Sequence, residues 1–191
     1  TSAVLGFTGT QSCDDATINR SGASQNAHIS LDAGGTFTLG ANGIVRGSGS
    51  FGAANFIGGA ANIVNDGLVS ADLSGRTLTL NNGGGFTNDG TLEARNGGVL
   101  TLSSGGVSTN NGLIEARTGS TINLNADDWT NTGTLRLFDA TGSVTPKIVS
   151  TITRKEMAWV RGCRANGVPT GQRPSSSRAH GGGAPRSAAR W

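Results

Sequence analysis

The sequence predicts an all-β protein, a right-handed parallel β-helix (solenoid) with about 21–24 residues per coil and three short strands per coil. The first indication is a repeated Asn-x-Gly mark at Asn65, Asn88, Asn110 and Asn131, where the asparagines are 23, 22 and 21 residues apart. The second is composition: glycine accounts for 32 of 191 residues, and only 14% of residues are charged. That balance disfavours helix bundles and highly charged disordered chains.

Short alternating runs recur at the same period between the marks. One run directly follows each mark, at 68–71, 91–94, 113–116 and 134–137, and a second occupies 77–80, 99–102 and 121–124. A large apolar residue precedes three of the asparagines, namely Phe86, Val107 (with one extra residue) and Trp129. Alternation with period two is typical of a strand with one buried face. Antiparallel hairpins would not explain why residue identities return after a full period, so the pattern favours coils.

The alternation also predicts which side chains stack from coil to coil. We expect inward columns of Val69, Leu92, Ile114 and Leu135, of Ala71, Ala94, Ala116 and Leu137, of Leu78, Leu100 and Ile122, and of Leu80, Leu102 and Leu124. Glu93, Glu115, Arg95 and Arg117 are expected in outward, solvated columns. The four asparagines are expected to align at one corner as a hydrogen-bonded ladder.

The run from Phe86 to Leu102, Phe-Thr-Asn-Asp-Gly-Thr-Leu-Glu-Ala-Arg-Asn-Gly-Gly-Val-Leu-Thr-Leu, resembles the β-helical repeats of bacterial autotransporter passengers and haemagglutinin-type adhesins. The resemblance covers about residues 36–142. It implies an extracellular or bacterial cell-surface protein that projects a binding surface. We see no translocation barrel in this sequence, and the repeats stop well before its end.

Composition divides the chain into four segments. Residues 1–35 lack a clean period and are expected to form an N-terminal cap or an irregular first coil, because a solenoid end needs cover. Residues 36–142 hold the β-solenoid repeats, and 143–160 are expected to supply a last strand or cap. Residues 161–191 form a basic tail, expected to be disordered. Six arginines and eleven acidic residues give residues 1–142 a net charge of −5, whereas 143–191 carry +8.

No catalytic constellation is apparent. His28 and His180 lie in unrelated regions, and Cys13 and Cys163 fit no metal or redox spacing. No cofactor, metal site or membrane span is predicted, and Asp14-Asp15 and Asp127-Asp128 are interpreted as exposed turn acids. The basic tail lacks a module that would position bases, so no specific nucleic acid is expected as a partner.

These observations favour a non-enzymatic secreted or cell-surface protein that acts in adhesion or structural assembly. The expected partners are host-surface or matrix glycans or proteins, or further copies of the chain bound through the solenoid ends. The candidate binding face comprises Thr77, Thr79, Thr101, Thr121, Glu93, Arg95, Glu115 and Arg117. One alternative is a carbohydrate-active enzyme of the polysaccharide lyase or hydrolase kind, which would use the acidic and basic columns. Another is an ice-binding module, which would use the outward threonines.

Overall fold

A computed structural model describes residues 2–21, 26–117, 119–126 and 128–138, together with the backbone of 147–150. The predictions for the remainder of 139–191, including the basic tail, concern residues outside these ranges. Within the described ranges the chain contains no helix with the length and hydropathy of a membrane span.

The strands form three sheets, and each turn of the chain contributes one strand to each sheet in rotation. The first sheet contains β1 (Ala3–Thr8), β4 (Ala27–Asp32), β7 (Gly49–Phe51), β10 (Thr77–Asn82), β13 (Val99–Ser104), β16 (Thr121–Leu124) and β19 (Lys147–Ser150). The second contains β2 (Gln11–Cys13), β5 (Gly35–Leu39), β8 (Ala61–Asn65), β11 (Phe86–Asn88), β14 (Val107–Asn110) and β17 (Asp128–Asn131). The third contains β3 (Thr17–Arg20), β6 (Ile44–Gly47), β9 (Leu68–Ala71), β12 (Thr91–Ala94), β15 (Leu113–Ala116) and β18 (Thr134–Leu137).

Neighbouring strands in every sheet are parallel and belong to successive coils. In the third sheet Leu92 pairs with Ile114, and Ile114 pairs with Leu135. Residues one coil apart therefore lie side by side at the strand spacing of about 4.8 Å. This arrangement confirms the predicted three-stranded parallel β-solenoid, with about six turns.

The core lies inside the three sheets and consists of the predicted inward columns. Val69, Leu92 and Ile114 are fully buried, as are Leu78, Leu100 and Ile122 in the first sheet. Phe37, Phe51 and Phe86 fill the remaining space, and the rings of Phe37 and Phe51 meet edge to face at 5.5 Å. The columns open at the β18 end, where Leu137 is 48% exposed.

One position of the repeat differs between sequence and structure. Val107 aligns in the sequence with Phe86 and Trp129, with one extra residue, but it is 58% exposed. Ser108 pairs with both Phe86 and Trp129 and is fully buried in that column. The buried hydroxyl is satisfied, because Ser108 Oγ shares a short hydrogen bond with Ser104 Oγ. The local side-chain partner at Ser104 thus lets a serine replace a large apolar residue.

The N-terminal segment contributes strands to the solenoid. Within residues 1–35, where a cap or an irregular first coil is expected, β1, β2 and β3 each join one of the three sheets. Ile18 pairs with Val45, which stands 27 positions later, whereas Val45 pairs with Val69, only 24 positions later. The additional residues shift the period without breaking strand pairing. At the other end, β19 pairs with β16 within the segment expected to supply a last strand.

Candidate functional site

The four predicted corner asparagines form one hydrogen-bonded ladder where the second sheet turns into the third. Asn65, Asn88 and Asn110 are fully buried, and each donates from Nδ2 to Oδ1 of the next asparagine, over 2.6 Å at every step. Asn131 ends this ladder. The confirmed ladder fixes the register of the coils and is covered from solvent, so its role is structural.

The glycine of each Asn-x-Gly mark is explained by close backbone packing at the same corner. A Cβ atom built on Gly90 would overlap the carbonyl oxygen of Gly67, and one on Gly112 would overlap that of Gly90. These carbonyls accept the next coil's hydrogen bonds, as in Thr91 N–H to Gly67 O at 2.8 Å. Glycine is therefore required by the approach of successive coils.

The threonines of the candidate binding face lie together on the outer face of the first sheet. Thr79 pairs with Thr101, and Thr101 with Asn123, whose Nδ2 donates to Thr101 Oγ1 at 3.3 Å. Thr77 and Thr121 stand in the neighbouring column, separated by Val99. This part of the first sheet presents half-exposed hydroxyl and amide groups without charge.

The acidic and basic residues of the candidate face lie on a different side of the solenoid. Glu93 and Glu115 are register neighbours in the third sheet, and Arg95 and Arg117 follow the same two strands. The structure therefore divides the predicted binding face into a neutral first-sheet face and a charged third-sheet face.

The prediction that Glu93 and Glu115 form solvated columns is wrong, because arginines cover them. Arg117 Nη2 lies 2.6 Å from Glu115 Oε1, and Arg136 Nη1 lies 3.4 Å from Glu115 Oε2. The Glu115 side chain is 4% exposed, whereas that of Arg117 is 53% exposed. Glu93 pairs with Arg95 at 3.1 Å and accepts the Ser70 hydroxyl at 2.6 Å. The carboxylates thus form a buried layer, and the guanidinium groups form a more exposed layer that covers it.

The same layering extends to both sides of this pair. Asp72 is buried and lies 2.6 Å from Arg46 and 3.7 Å from Arg95. At the other end, the guanidinium groups of Arg117 and Arg136 stand 5.3 and 5.7 Å from the ring centre of Phe138. Glu93 and Glu115 are like-charged register neighbours, and each is paired with an arginine, Arg95 and Arg117 respectively. The carboxylates of Asp72, Glu93 and Glu115 are thus all ion-pair partners of arginines.

A loop of residues 52–60 leaves the first sheet after β7 and covers Ser30 and Asp32. Oδ1 of Asp32 accepts the backbone N–H groups of Phe56, Ile57 and Gly58 at 2.9, 2.8 and 3.3 Å. Its Oδ2 accepts the Ser30 hydroxyl at 2.5 Å. The hydrogen bond from Ser30, followed by those from the loop backbone, lowers the pKa of Asp32 to about 2 despite the opposing effect of burial.

The same anchored loop presents two apolar side chains to solvent. Phe56 and Ile57 are each 69% exposed, and the Phe56 ring lies over Gly6 of β1. Leu39 pairs with Asn65, 26 positions later, whereas the following steps are 23, 22 and 21. That longer interval was the sequence signal for an insertion at this point.

A groove of about 440 Å³ lies beside this loop on the first sheet. It forms because β10 and β13 each extend two residues past their outer neighbours: the last pair with β7 is Leu80–Phe51, and the last pair with β16 is Leu102–Leu124. The lining residues are uncharged: Ala53, Ala54, Gly59, Asn81, Asn82, Gly83, Ser103, Ser104 and Gly105. Sequence reasoning missed this groove, since it depends on where the loop folds back.

Across the described ranges, no three His, Cys, Asp or Glu side chains come together as a metal-binding group. Cys13 is a free thiol. No protein-family model matches the sequence, and comparison with curated proteins and with solved structures finds no significant similarity.

Proposed function

We propose that the protein is a non-enzymatic, secreted or cell-surface β-solenoid that acts in adhesion or structural assembly through its exposed faces. The observation that carries the proposal is the pairing of Glu93, Glu115 and Asp72 with arginines beneath a layer of exposed guanidinium groups. The side chains that a polysaccharide-cleaving enzyme would use are held as structural ion pairs. What remains accessible are extended faces suited to binding.

The resemblance of the repeats to autotransporter passengers and haemagglutinin-type adhesins supports the same proposal. This solenoid has one continuous apolar core and presents outward faces of different chemistry. Its third-sheet face is charged, its first-sheet face is neutral, and one inserted loop projects Phe56 and Ile57. Exposed apolar side chains on a rigid support are typical of interaction sites.

The proposal is tested by coating beads with the full chain and measuring their attachment to cultured cells, matrix proteins and immobilised glycans. Heat-unfolded protein on matched beads is the control for non-specific adsorption. Variants that place a carboxylate on one face at a time identify the binding surface: Arg117→Glu on the third sheet, Thr101→Glu on the first and Thr109→Glu on the second. We expect attachment above the unfolded control, and its loss with one of the three variants.

Structural assembly has a separate readout, because coils stacked end to end would lengthen the particle. Sedimentation over a range of protein concentrations detects that change. The enzymatic alternative would replace the proposal under two conditions. Neither attachment nor assembly would exceed the control, and the protein would cleave acidic polysaccharides in a reaction that Glu115→Gln abolishes.

A further inference from the structure

We propose that the groove beside the 52–60 loop binds an uncharged, hydroxyl-rich ligand, namely a segment of a neutral glycan. This inference rests on the proposed function, since it names the class of ligand that one exposed face takes. The groove is lined by amide, hydroxyl and backbone groups from the tips of β10 and β13 and from the loop. Its location on the first sheet separates it from the arginines of the third sheet.

Because the lining carries no charge, the groove disfavours ionic ligands. None of the nine lining residues carries an ionisable side chain. A carboxylate or sulfate placed there would lose hydration without gaining a countercharge, which is unfavourable. A sugar hydroxyl loses less hydration and recovers its hydrogen bonds from neutral partners.

Two side chains of the lining have free hydrogen-bonding capacity. Asn81 is exposed and Ser103 half-exposed, and neither side chain is hydrogen-bonded to another described residue. They are register neighbours on β10 and β13, so an amide-bearing and a hydroxyl-bearing residue lie side by side on backbones about 4.8 Å apart. Together they donate and accept, which matches the dual character of sugar hydroxyls.

The adjacent side chains hold the groove in shape. Asn82 donates to the carbonyls of Gly84 and Gly85, both at 2.8 Å, and Ser104 Oγ donates to the carbonyl of Gly106 at 3.2 Å. The opposite wall is anchored through the Asp32 carboxylate. A preformed site avoids the entropy cost of ordering a loop on binding.

The experiment titrates the ¹⁵N-labelled full chain with cellohexaose, maltohexaose and chitohexaose and follows backbone and Asn side-chain amide signals by NMR. Polygalacturonate and an uncharged Gly-Ser peptide serve as comparison ligands. Asn81→Ala and Ser103→Ala remove the free groups, and Thr109→Ala on the second sheet is the matched control. We expect one of the three neutral oligosaccharides to shift the Asn81 side-chain signal. Each groove variant should weaken that binding about fivefold while Thr109→Ala leaves it unchanged.

Binding by none of the neutral oligosaccharides overturns the inference, as does preferential binding of polygalacturonate or of the peptide. Binding that is unaffected by both groove variants overturns the assignment to this groove. Failure here is distinguishable from failure of the proposed function, because bead attachment that depends on Arg117 or Thr109 would persist without any glycan in the groove.

Discussion

Asn88 donates from its Nδ2 to Oδ1 of Asn110 across 2.6 Å, while its own Oδ1 accepts from Nδ2 of Asn65 at the same distance. Each interior member of the ladder is thus donor and acceptor at once, in a corner that solvent does not reach. Hydrogen bonds in such a chain polarise one another. The ladder links the successive coils of the solenoid with one side-chain bond per coil.

Asn88→Ala should destabilise the protein by about 2–4 kcal/mol. It removes the acceptor of Asn65 Nδ2 and the donor to Asn110 Oδ1, which leaves two buried polar groups with fewer partners. Asn111→Ala is the matched control, because Asn111 is exposed one position beyond the ladder and bonds only at the surface. Urea unfolding curves measure both variants. Equal losses would show that burial in the ladder adds nothing.

Gly90→Ala should cost about 1–3 kcal/mol, because its Cβ would overlap the carbonyl of Gly67 and push two coils apart. Gly6→Ala is the control, since a Cβ there meets only the Phe56 ring at 3.6 Å, an ordinary contact distance. Thermal melting of the two variants compares them directly. A Gly90→Ala protein that melts like Gly6→Ala would contradict the close approach of the corners.

Glu115→Gln should destabilise the solenoid by about 1–3 kcal/mol. The change leaves Arg117 and Arg136 without the carboxylate that both contact. Asp128→Asn removes one negative charge from an exposed position and is expected to change stability by less than about 0.5 kcal/mol. Denaturant unfolding at low ionic strength tests the pair. A Glu115→Gln protein as stable as Asp128→Asn would show that the guanidinium layer does not depend on that carboxylate.

Acid should release the 52–60 loop. The pKa of Asp32 is about 2 in the folded protein against an ordinary 3.8, so its stabilising contribution is complete above the ordinary pKa and is lost as the pH falls through about 2. Asp32→Asn lacks this dependence. The stability difference between the two proteins should therefore narrow as the pH falls from about 5 to about 2, as measured by unfolding at each pH.

Amide hydrogen exchange at neutral pH locates the same effect. Asp32→Ala should speed exchange at Phe56, Ile57 and Gly58, because their N–H groups lose the carboxylate acceptor. Exchange at Phe86, in a strand of the second sheet, is the internal control. Unchanged protection at the three loop amides would show that other contacts hold the loop.

The periodic features of this fold were readable from the sequence, because they depend on neighbours at a constant spacing. The Asn-x-Gly interval predicted the coil length, the ladder and the stacking of Leu92 on Ile114. Alternation within a strand predicted the buried side of β10 and β13. A period-two pattern determines on which side of the sheet each side chain lies, and a constant coil length determines which residues stack on one another.

The surfaces were decided by tertiary structure. Burial of the Glu115 carboxylate depends on Arg117 and Arg136, which cover it from two successive coils. The alternating pattern places all three residues outside the core, but it does not indicate how exposed each side chain is. The Asp32 anchor, the projecting Phe56 and the groove at Asn81 arise where an insertion interrupts the repeat. A loop that breaks the period takes its path from contacts with distant side chains, and no local pattern encodes those contacts.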